Sequence, residues 1–249
     1  IAGVYEVGES SGRPYIAMQF VDGTTLGRAK GSTAEKVRLV RDAARAVAFA
    51  NERGIIHRDL KPDNIMVSGS QAFVMDFGLA RLVSARAGAS LSQSGMVVGT
   101  PGYMPPEQAR GEIHAAAARS HVYTLGATFY AVLCGRAPFD GADIYSILMR
   151  VVSEEPPRPR TLSPRLPADL ETIVMKCLEK EPSRRYATAT EFADDLDRFL
   201  AGEAILARSP SLVYRFSKAF AKRRVLVVTI GLAALVVGGT LANLVPRLR

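Results

Sequence analysis

The residues with the strongest chemical signal form the run His57-Arg58-Asp59-Leu60-Lys61-Pro62-Asp63-Asn64, and Asp76-Phe77-Gly78 follows twelve positions after Asn64. Transfer of a γ-phosphoryl group needs a carboxylate that meets the incoming hydroxyl, and Asp59 suits that role. Lys61 offers a nearby cation for the γ-phosphate. Magnesium prefers hard oxygen ligands, which Asn64 and Asp76 supply from two chain segments. Each of these residues alone is a weak signal, but their combination at this spacing is a strong one.

The segments around these motifs must position them. Residues 4–8 and 15–21 predict a β-hairpin at the start of the chain. Ser32-Thr33-Ala34-Glu35 is a capping box, and the apolar spacing after it predicts a helix over about 33–53. Two short apolar segments, 64–68 and 72–75, come next, and a long loop is predicted from Asp76 to about Glu107.

Beyond the long loop the apolar spacing is helical. It predicts helices over 123–134, 144–153, 169–179 and 190–200, with the proline-rich segment 154–167 between the second and the third. We therefore expect an α+β fold in which a helix-dominated domain carries a small sheet at its start.

The positive charge of the chain belongs to its C-terminal tail. The 249 residues contain 32 Lys and Arg against 24 Asp and Glu. The residues after Glu203 hold eight cations and no anion, so the first 203 residues contain 24 charges of each sign. This balance does not favour a nucleic-acid-binding surface on the domain. Cys134 and Cys177 lie in apolar sequence, which predicts buried, reduced thiols of a cytosolic domain.

Residues 225–245 form a run of 21 positions without a charge. At about 1.5 Å per residue, a helix of this length spans roughly the 30 Å hydrocarbon core of a bilayer. The run has no polar face and adjoins a cationic block, which favours a transmembrane helix over a buried core helix. Five cations precede it and two follow it, so residues 1–224 are predicted to face the cytoplasm.

Two features of the C-terminal tail predict contacts with lipid headgroups or with a second copy of the chain. Within the basic juxtamembrane segment 203–224, residues 210–224 have apolar side chains at helical spacing. This pattern is typical of a helix in the lipid headgroup layer, with a solvated linker helix as the alternative. Ala234, Gly238 and Ala242 recur every four residues within the span. Such a stripe suits a homodimer seam, although small residues are common in membrane helices.

The motifs together resemble the eukaryotic-like (Hanks-type) bacterial Ser/Thr protein kinases, particularly the membrane-anchored receptor type. The resemblance covers about residues 1 to 200 and extends to the run Gly99-Thr100-Pro101-Gly102-Tyr103-Met104-Pro105-Pro106-Glu107 and to Arg185. Lys61, two positions after Asp59, is the Ser/Thr form of the catalytic loop. The resemblance implies a protein-kinase-like fold, ATP and Mg²⁺ (with Mn²⁺ as an alternative ion) as cofactors, and proteins as substrates.

The resemblance also implies roles for individual residues. Asp59 would act as the catalytic base, Lys61 would contact the γ-phosphate, and Asn64 and Asp76 would hold the metal. Thr100 would support Asp59 and Lys61 and form the floor for the residue after the phosphoacceptor. The implied structural pair, which braces the C-terminal lobe, consists of Glu107 and Arg185.

The segment 15–21 would be the last strand of the N-terminal lobe and the hinge. Met18 would guard the back pocket, the backbone of Gln19 to Val21 would bind adenine, and Met66 would lie beneath the adenine ring. Without the surrounding motif, ordinary core packing would be the better interpretation of the two methionines.

Arg58 beside the catalytic aspartate is typical of kinases that are switched by phosphorylation of the activation loop, because a phosphate on that loop can pair with the arginine. The alternative is that the serines of this loop, which is rich in Gly, Ala and Ser, are exposed to water without being phosphorylated. The candidate acceptors are Ser84, Ser90, Ser92 and Ser94.

Three departures from the family pattern stand out. The chain has no counterpart of the Gly-rich loop, the ATP-binding lysine or the N-lobe glutamate, so we expect a fragment that lacks about 70 to 80 residues of a kinase domain. His121 stands where the family usually has an aspartate that accepts backbone N–H bonds from the catalytic loop, and a neutral histidine offers one acceptor nitrogen. Pro105 replaces the alanine of Ala-Pro-Glu, which is a mild change.

Two classes of function follow. The chain is part of an active Ser/Thr kinase at the cytoplasmic face of the inner membrane, or it is a membrane-tethered pseudokinase that acts as an interaction module. Retention of all four catalytic-loop and metal-site residues favours the kinase, and the long activation segment favours a protein over a small-molecule substrate. The expected division is an N-lobe remnant (1–21), a C-lobe (22–202), a basic juxtamembrane segment (203–224), a transmembrane helix (225–245) and a short far-side tail (246–249).

Overall fold

The computed structural model describes residues 1–57, 59–77, 99–112 and 117–208. The chain opens with an antiparallel hairpin of β1 (Val4–Ser10) and β2 (Arg13–Met18). Ser11 and Gly12 form its turn with φ of 51° and 75°, the left-handed conformation that two-residue hairpin turns require. A second antiparallel sheet has the strand order β3 (Thr24–Thr25), β4 (Ile65–Ser68), β5 (Gln71–Val74).

Seven α-helices lie in the rest of the described chain. The long helices are α1 (Thr33–Asn51) and α3 (Ala117–Cys134), and two short ones are α2 (Pro106–Ala109) and α5 (Pro159–Leu162). The others are α4 (Ile144–Ser153), α6 (Ala168–Cys177) and α7 (Ala189–Leu200). Short 3₁₀ turns occur at Pro62–Asn64, Pro101–Tyr103 and Pro182–Arg184.

The core lies around α3, whose residues Tyr123, Phe129 and Tyr130 are fully buried. This helix packs against α1, α6 and α7, and α1 also packs against β5. A side chain at Gly126 would collide with Cys177, so the glycine allows α3 and α6 to approach closely. The helical layer thereby supports the small sheet whose ends carry the motif residues.

The predicted elements agree with the structure in type, and the differences have local causes. The capping box is formed, because Ser32 and Glu35 exchange side-chain and backbone hydrogen bonds. The helix predicted over 123–134 begins earlier, at Ala117, because the polar turn before Val122 carries no apolar signal. The helix α5 was not predicted: Pro159 starts it within the proline-rich segment, since proline suits the first turn of a helix. The predicted loop up to Glu107 likewise contains the 3₁₀ turn Pro101–Tyr103 and the start of α2.

Most residues of β1 are exposed, on both faces of the hairpin. Val4, Tyr5 and Val7 of β1 are 58%, 74% and 47% exposed. Within the described ranges, none of the helices has the length and apolarity needed to cross a bilayer. The predicted span 225–245 and segment 209–224 of the predicted juxtamembrane region lie outside the described residues.

Candidate active site

The loop that carries Asp59 is joined to the end of β5 through a histidine. The His57 Nε2–H group donates to the carbonyl oxygen of Met75 at 2.7 Å, and the His57 ring meets the Phe77 ring edge-on at 4.8 Å between centroids. Burial lowers the pKa of His57, so the ring is neutral at pH 7. Its Nδ1 accepts a hydrogen bond from the Asp59 backbone N–H at 3.4 Å. His57 begins the motif, but its role was not predicted from the sequence.

Asp59 is the centre of the polar network. Its Oδ1 accepts hydrogen bonds from the Thr100 backbone N–H at 3.0 Å and from the Thr100 hydroxyl at 2.9 Å. Its Oδ2 lies 2.9 Å from Lys61 Nζ and accepts from Asn64 Nδ2 at 3.2 Å. Lys61 Nζ also donates to Thr100 Oγ1 at 2.8 Å. The structure therefore brings Asp59, Lys61, Asn64 and Thr100 together, as the sequence predicted.

This network keeps Asp59 ionised. Partial burial acts to raise the pKa of the carboxyl group, but hydrogen bonds from Lys61, Thr100 and Asn64 outweigh the burial and hold the pKa below its ordinary value. A carboxylate that is charged and oriented from several sides can accept the proton of a hydroxyl placed beside it.

Asn64 and Asp76 are brought together by the backbone. The Met75 N–H group donates to the Asn64 carbonyl oxygen at 2.9 Å, which places Asp76, the next residue, beside the Asn64 turn. Asn64 Nδ2 donates to the Asp59 carbonyl oxygen at 2.7 Å, so its amide oxygen remains the group available to a cation. Asp76 has φ of 58°, a conformation that is rare outside glycine and concentrated at functional sites.

These two residues fit a partial magnesium site. Among the described residues, no group of three or more His, Cys, Asp or Glu side chains could hold a metal ion. Mg²⁺ commonly uses one or two protein oxygen ligands and completes its octahedron with water and phosphate oxygens. The Asn64 amide and the Asp76 carboxylate meet that requirement.

The residues predicted to contact adenine lie on two sheets. Met18 ends β2, and Met66 lies on β4; both are half-buried. The Gln19 N–H group donates to the Gly3 carbonyl oxygen at 2.7 Å, and the Ala2 N–H group donates to the Val74 carbonyl oxygen at 3.0 Å. The hairpin is thus tied to the second sheet next to the segment that contains Val21. Within the described chain, the Val21 backbone has no hydrogen-bond partner.

Glu107 and Arg185, which the sequence predicted to pair, form a buried ion pair with two parallel hydrogen bonds of 2.8 Å. Ser120 Oγ donates to Glu107 Oε1 at 2.6 Å, a partner that the sequence did not reveal. Gly102 is also explained only by the structure, because a Cβ atom there would lie 2.7 Å from the Phe139 carbonyl oxygen. The segment after Thr100 is therefore held firmly on the helical layer.

The candidate regulatory residues belong to the catalytic loop and to the predicted loop that follows Asp76. Arg58 and the four serines Ser84, Ser90, Ser92 and Ser94 lie outside the described residues, as does Gly78.

His121 lies in the first half of α3 and is 8% exposed. Its Nδ1 atom is buried and has no hydrogen-bond partner within the described parts of the chain. Burial lowers the pKa of His121 to about 4, and the nearby His57 acts in the same direction. The ring is therefore neutral at pH 7, and one of its polar atoms is unsatisfied.

Replacing His121 by Asp should hold the catalytic loop more firmly, because a carboxylate offers two acceptor oxygens where the neutral ring offers one nitrogen. We expect amide hydrogen exchange around His57 and Asp59 to slow by about fivefold, the effect of roughly one hydrogen bond. His121→Asn is the matched control, since it has similar size but no charge. Equal exchange in the wild type and His121→Asp would show that position 121 does not restrain the loop.

Comparison with known proteins agrees with this geometry. A family model described as "Protein kinase domain" matches residues 1–195. Serine/threonine-protein kinase PknB of Mycobacterium tuberculosis is 43% identical over 213 residues, which cover 82% of this chain and 34% of the relative. The probable serine/threonine-protein kinase PknB of Lactococcus lactis is 36% identical over 202 residues, 79% of this chain and 31% of that relative.

A crystal structure of Rad53 1-466 in complex with AMP-PNP superimposes with a TM-score of 0.62 at 24% identity, covering 78% of this chain and 49% of that chain. This likeness shows the protein kinase fold. The chain belongs to the protein kinase domain family. Within that family it is similar to the bacterial PknB-type serine/threonine kinases, and it spans about a third of the length of these curated relatives. The family works with ATP and Mg²⁺.

Proposed function

We propose that this chain carries the catalytic lobe of a Ser/Thr protein kinase that transfers the γ-phosphoryl group of ATP to hydroxyl groups of protein substrates. The observation that supports this most directly is the ionised Asp59, held by Thr100, Lys61 and Asn64 within hydrogen-bonding distance. The similarity to PknB-type kinases over most of the chain supports the same conclusion.

In the proposed reaction the substrate hydroxyl lies against Asp59. As its oxygen forms a bond to the γ-phosphorus, the bond from that phosphorus to the β-phosphate oxygen breaks, and ADP leaves. Asp59 accepts the hydroxyl proton. Lys61 neutralises charge on the phosphoryl oxygens, and Asn64 and Asp76 would hold Mg²⁺, which supplies charge neutralisation at the phosphates.

The binding contacts of the two substrates are part of the proposal. Adenine would bind to the backbone of Gln19 and Val21, next to Met18 and above Met66. The residue after the phosphoacceptor would rest on Thr100, beside the small cavity that borders Asp59. That cavity is also lined by Leu60, Tyr103, Met104 and Gln108.

A metal-site substitution tests this function. Replacing Asp76 by Asn keeps the shape of the side chain but removes its charge, so the Mg²⁺ concentration needed for half-maximal phosphorylation of a generic protein substrate should rise by at least about tenfold. Asp194→Asn, the same change on α7, should leave the Mg²⁺ dependence unaltered. An unchanged Mg²⁺ requirement in Asp76→Asn would exclude this residue as a ligand.

Regulation by the activation segment is a further part of the proposal. Phosphate on Ser84, Ser90, Ser92 or Ser94 would pair with Arg58 and order the segment. After incubation of the full chain with Mg²⁺ and ATP, we expect phosphopeptide mapping to find at least one of these serines modified, and modification at none of them would contradict autophosphorylation there.

The same kinase is proposed to be a single-pass protein of the inner membrane with a cytoplasmic kinase domain. The uncharged run 225–245 and the surplus of cations before it support this location. Full-length protein should remain in the membrane pellet after an alkaline carbonate wash, and release into the supernatant would contradict a transmembrane anchor.

A further inference from the structure

The described chain does not leave the kinase lobe where α7 ends. After Leu200 the backbone turns at Gly202, which has φ of 70°, and returns to the lobe. Ile205 is 3% exposed and belongs to the core, and Ala207 packs against the same core. The next residue, Arg208, places its Nη1 atom 3.7 Å from Asp169 Oδ1. Residues 205–208 are therefore packed as part of the domain.

A buried carboxylate holds this returning segment. Asp195 on α7 is 0% exposed. Its Oδ1 accepts a hydrogen bond from the Leu206 backbone N–H, and its Oδ2 accepts from the Ala207 backbone N–H at 2.8 Å. The Tyr186 hydroxyl donates to the same Oδ2 at 2.7 Å. A buried carboxylate requires such donors, and two of these three belong to the segment that follows the helix.

The helix that carries Asp195 is itself fixed to the lobe. On another side of α7, Asp197 pairs with Arg41 and Arg45 of α1, and Asp194 pairs with Arg45. These pairs are partly exposed, so each one contributes little alone. The apolar face of α7, with Phe192, Ala193 and Leu196, is fully buried. Asp195 thus connects the returning segment to a rigid part of the domain.

We propose that Asp195 is a latch that holds residues 205–208 on the kinase lobe, so that the basic C-terminal segment leaves the domain from one fixed place. This proposal rests on the proposed membrane anchor in residues 225–245, but it does not depend on catalysis. From Ala207 to the uncharged run that begins at residue 225, the connecting chain comprises residues 208–224 and spans at most about 56 Å at about 3.3 Å per residue. If the latch opened, residues 201–207 would join this connection and could add up to roughly 23 Å of reach at about 3.3 Å per residue. The latch therefore limits how far the lobe can move from an anchor in the tail.

The latch is tested by hydrogen exchange of the full chain in lipid nanodiscs, without ATP. Asp195→Asn leaves one acceptor oxygen and places an NH₂ group against donors, so the Leu206 and Ala207 amides should exchange at least about tenfold faster than in the wild type. Asp194→Asn is the matched control, because the neighbouring side chain is 50% exposed and pairs only with Arg45 in the described contacts. It should leave both amides protected.

A second pair of variants decides the question if Asp195→Asn does not fold. Leu206→Pro and Leu206→Ala both shorten a side chain that is 60% exposed, but only the proline removes the N–H group that donates to Asp195. The Ala207 amide should exchange faster in Leu206→Pro than in Leu206→Ala. Fast exchange of Leu206 and Ala207 in the wild type, or equal exchange of Ala207 in the two Leu206 variants, would overturn the proposal. Because no nucleotide is present, neither result bears on kinase activity.

Discussion

Asp59→Asn should lower the rate of phosphoryl transfer to a protein substrate by about 10²–10⁴-fold, the usual contribution of a positioned general base. Asparagine keeps the shape of the side chain and one acceptor oxygen for Thr100, but it cannot take up the hydroxyl proton. It also removes the negative charge that pairs with Lys61 at 2.9 Å. Transfer of radiolabelled phosphate from Mg²⁺ and ATP to a generic protein substrate measures the effect.

The matched control for this experiment is Asp194→Asn, which makes the same chemical change on α7. It should transfer phosphate at the wild-type rate. Equal incorporation by the wild type and Asp59→Asn would contradict the assigned mechanism. A complete kinase domain built on this lobe that binds Mg²⁺ and ATP but transfers no phosphate would favour the pseudokinase alternative, because the fragment without its Gly-rich loop and ATP-binding lysine is expected to be weakly active or inactive in either case.

The second large effect concerns stability. Arg185→Met should lower the free energy of unfolding by about 3–5 kcal/mol, because it leaves the carboxylate of Glu107 buried without its cation. The guanidinium group is fully buried. Besides Glu107, it donates to three backbone carbonyl oxygens, those of Glu179, Lys180 and Arg119. Arg185→Lys should also be destabilising, since an ammonium group cannot reproduce this planar set of donors.

Urea unfolding of the domain measures the difference, with Arg184→Met as the control. The Arg184 side chain is 72% exposed, and its Nη1 atom lies 3.7 Å from Glu179 Oε2. Its replacement should therefore change the free energy of unfolding by less than about 1 kcal/mol. A similar loss of stability in Arg184→Met and Arg185→Met would show that the buried pair has no special role.

The ion pair of Glu107 and Arg185 predicts that the stability of the domain depends on pH. Burial acts to raise the pKa of Glu107, but Arg185 and Ser120 outweigh it and hold the pKa below its ordinary value. A lowered folded-state pKa stabilises the protein above the unfolded-state pKa, and this stabilisation is lost as the pH falls through the folded-state pKa. The difference in stability between the wild type and Arg185→Met should therefore be largest near neutral pH and shrink in acid. A difference that stays constant over this range would contradict the ion pair as its source.

The candidate site was largely predictable because its residues are close in sequence and chemically distinctive. Asp59, Lys61 and Asn64 lie within six positions of one another, so a single loop positions all three. Thr100 could be linked to them only through the family resemblance, and the structure confirms that its hydroxyl contacts both Asp59 and Lys61. The role of His57 was not predictable, because its contacts with Met75 and Phe77 depend on how the loop lies against β5.

By itself, the sequence determined the class of chemistry and the type of most elements. Motif spacing selects the catalytic loop, while the capping box at Ser32 and the period of the apolar residues determine α1, since these signals depend on residues within a few positions of one another. Only the tertiary structure decided that Asp195 is buried and bound to Leu206 and Ala207, because Asp195 looks like any other acidic residue of a surface helix. Such contacts arise when separate elements pack together, and packing depends on the shapes of surfaces that no local pattern encodes.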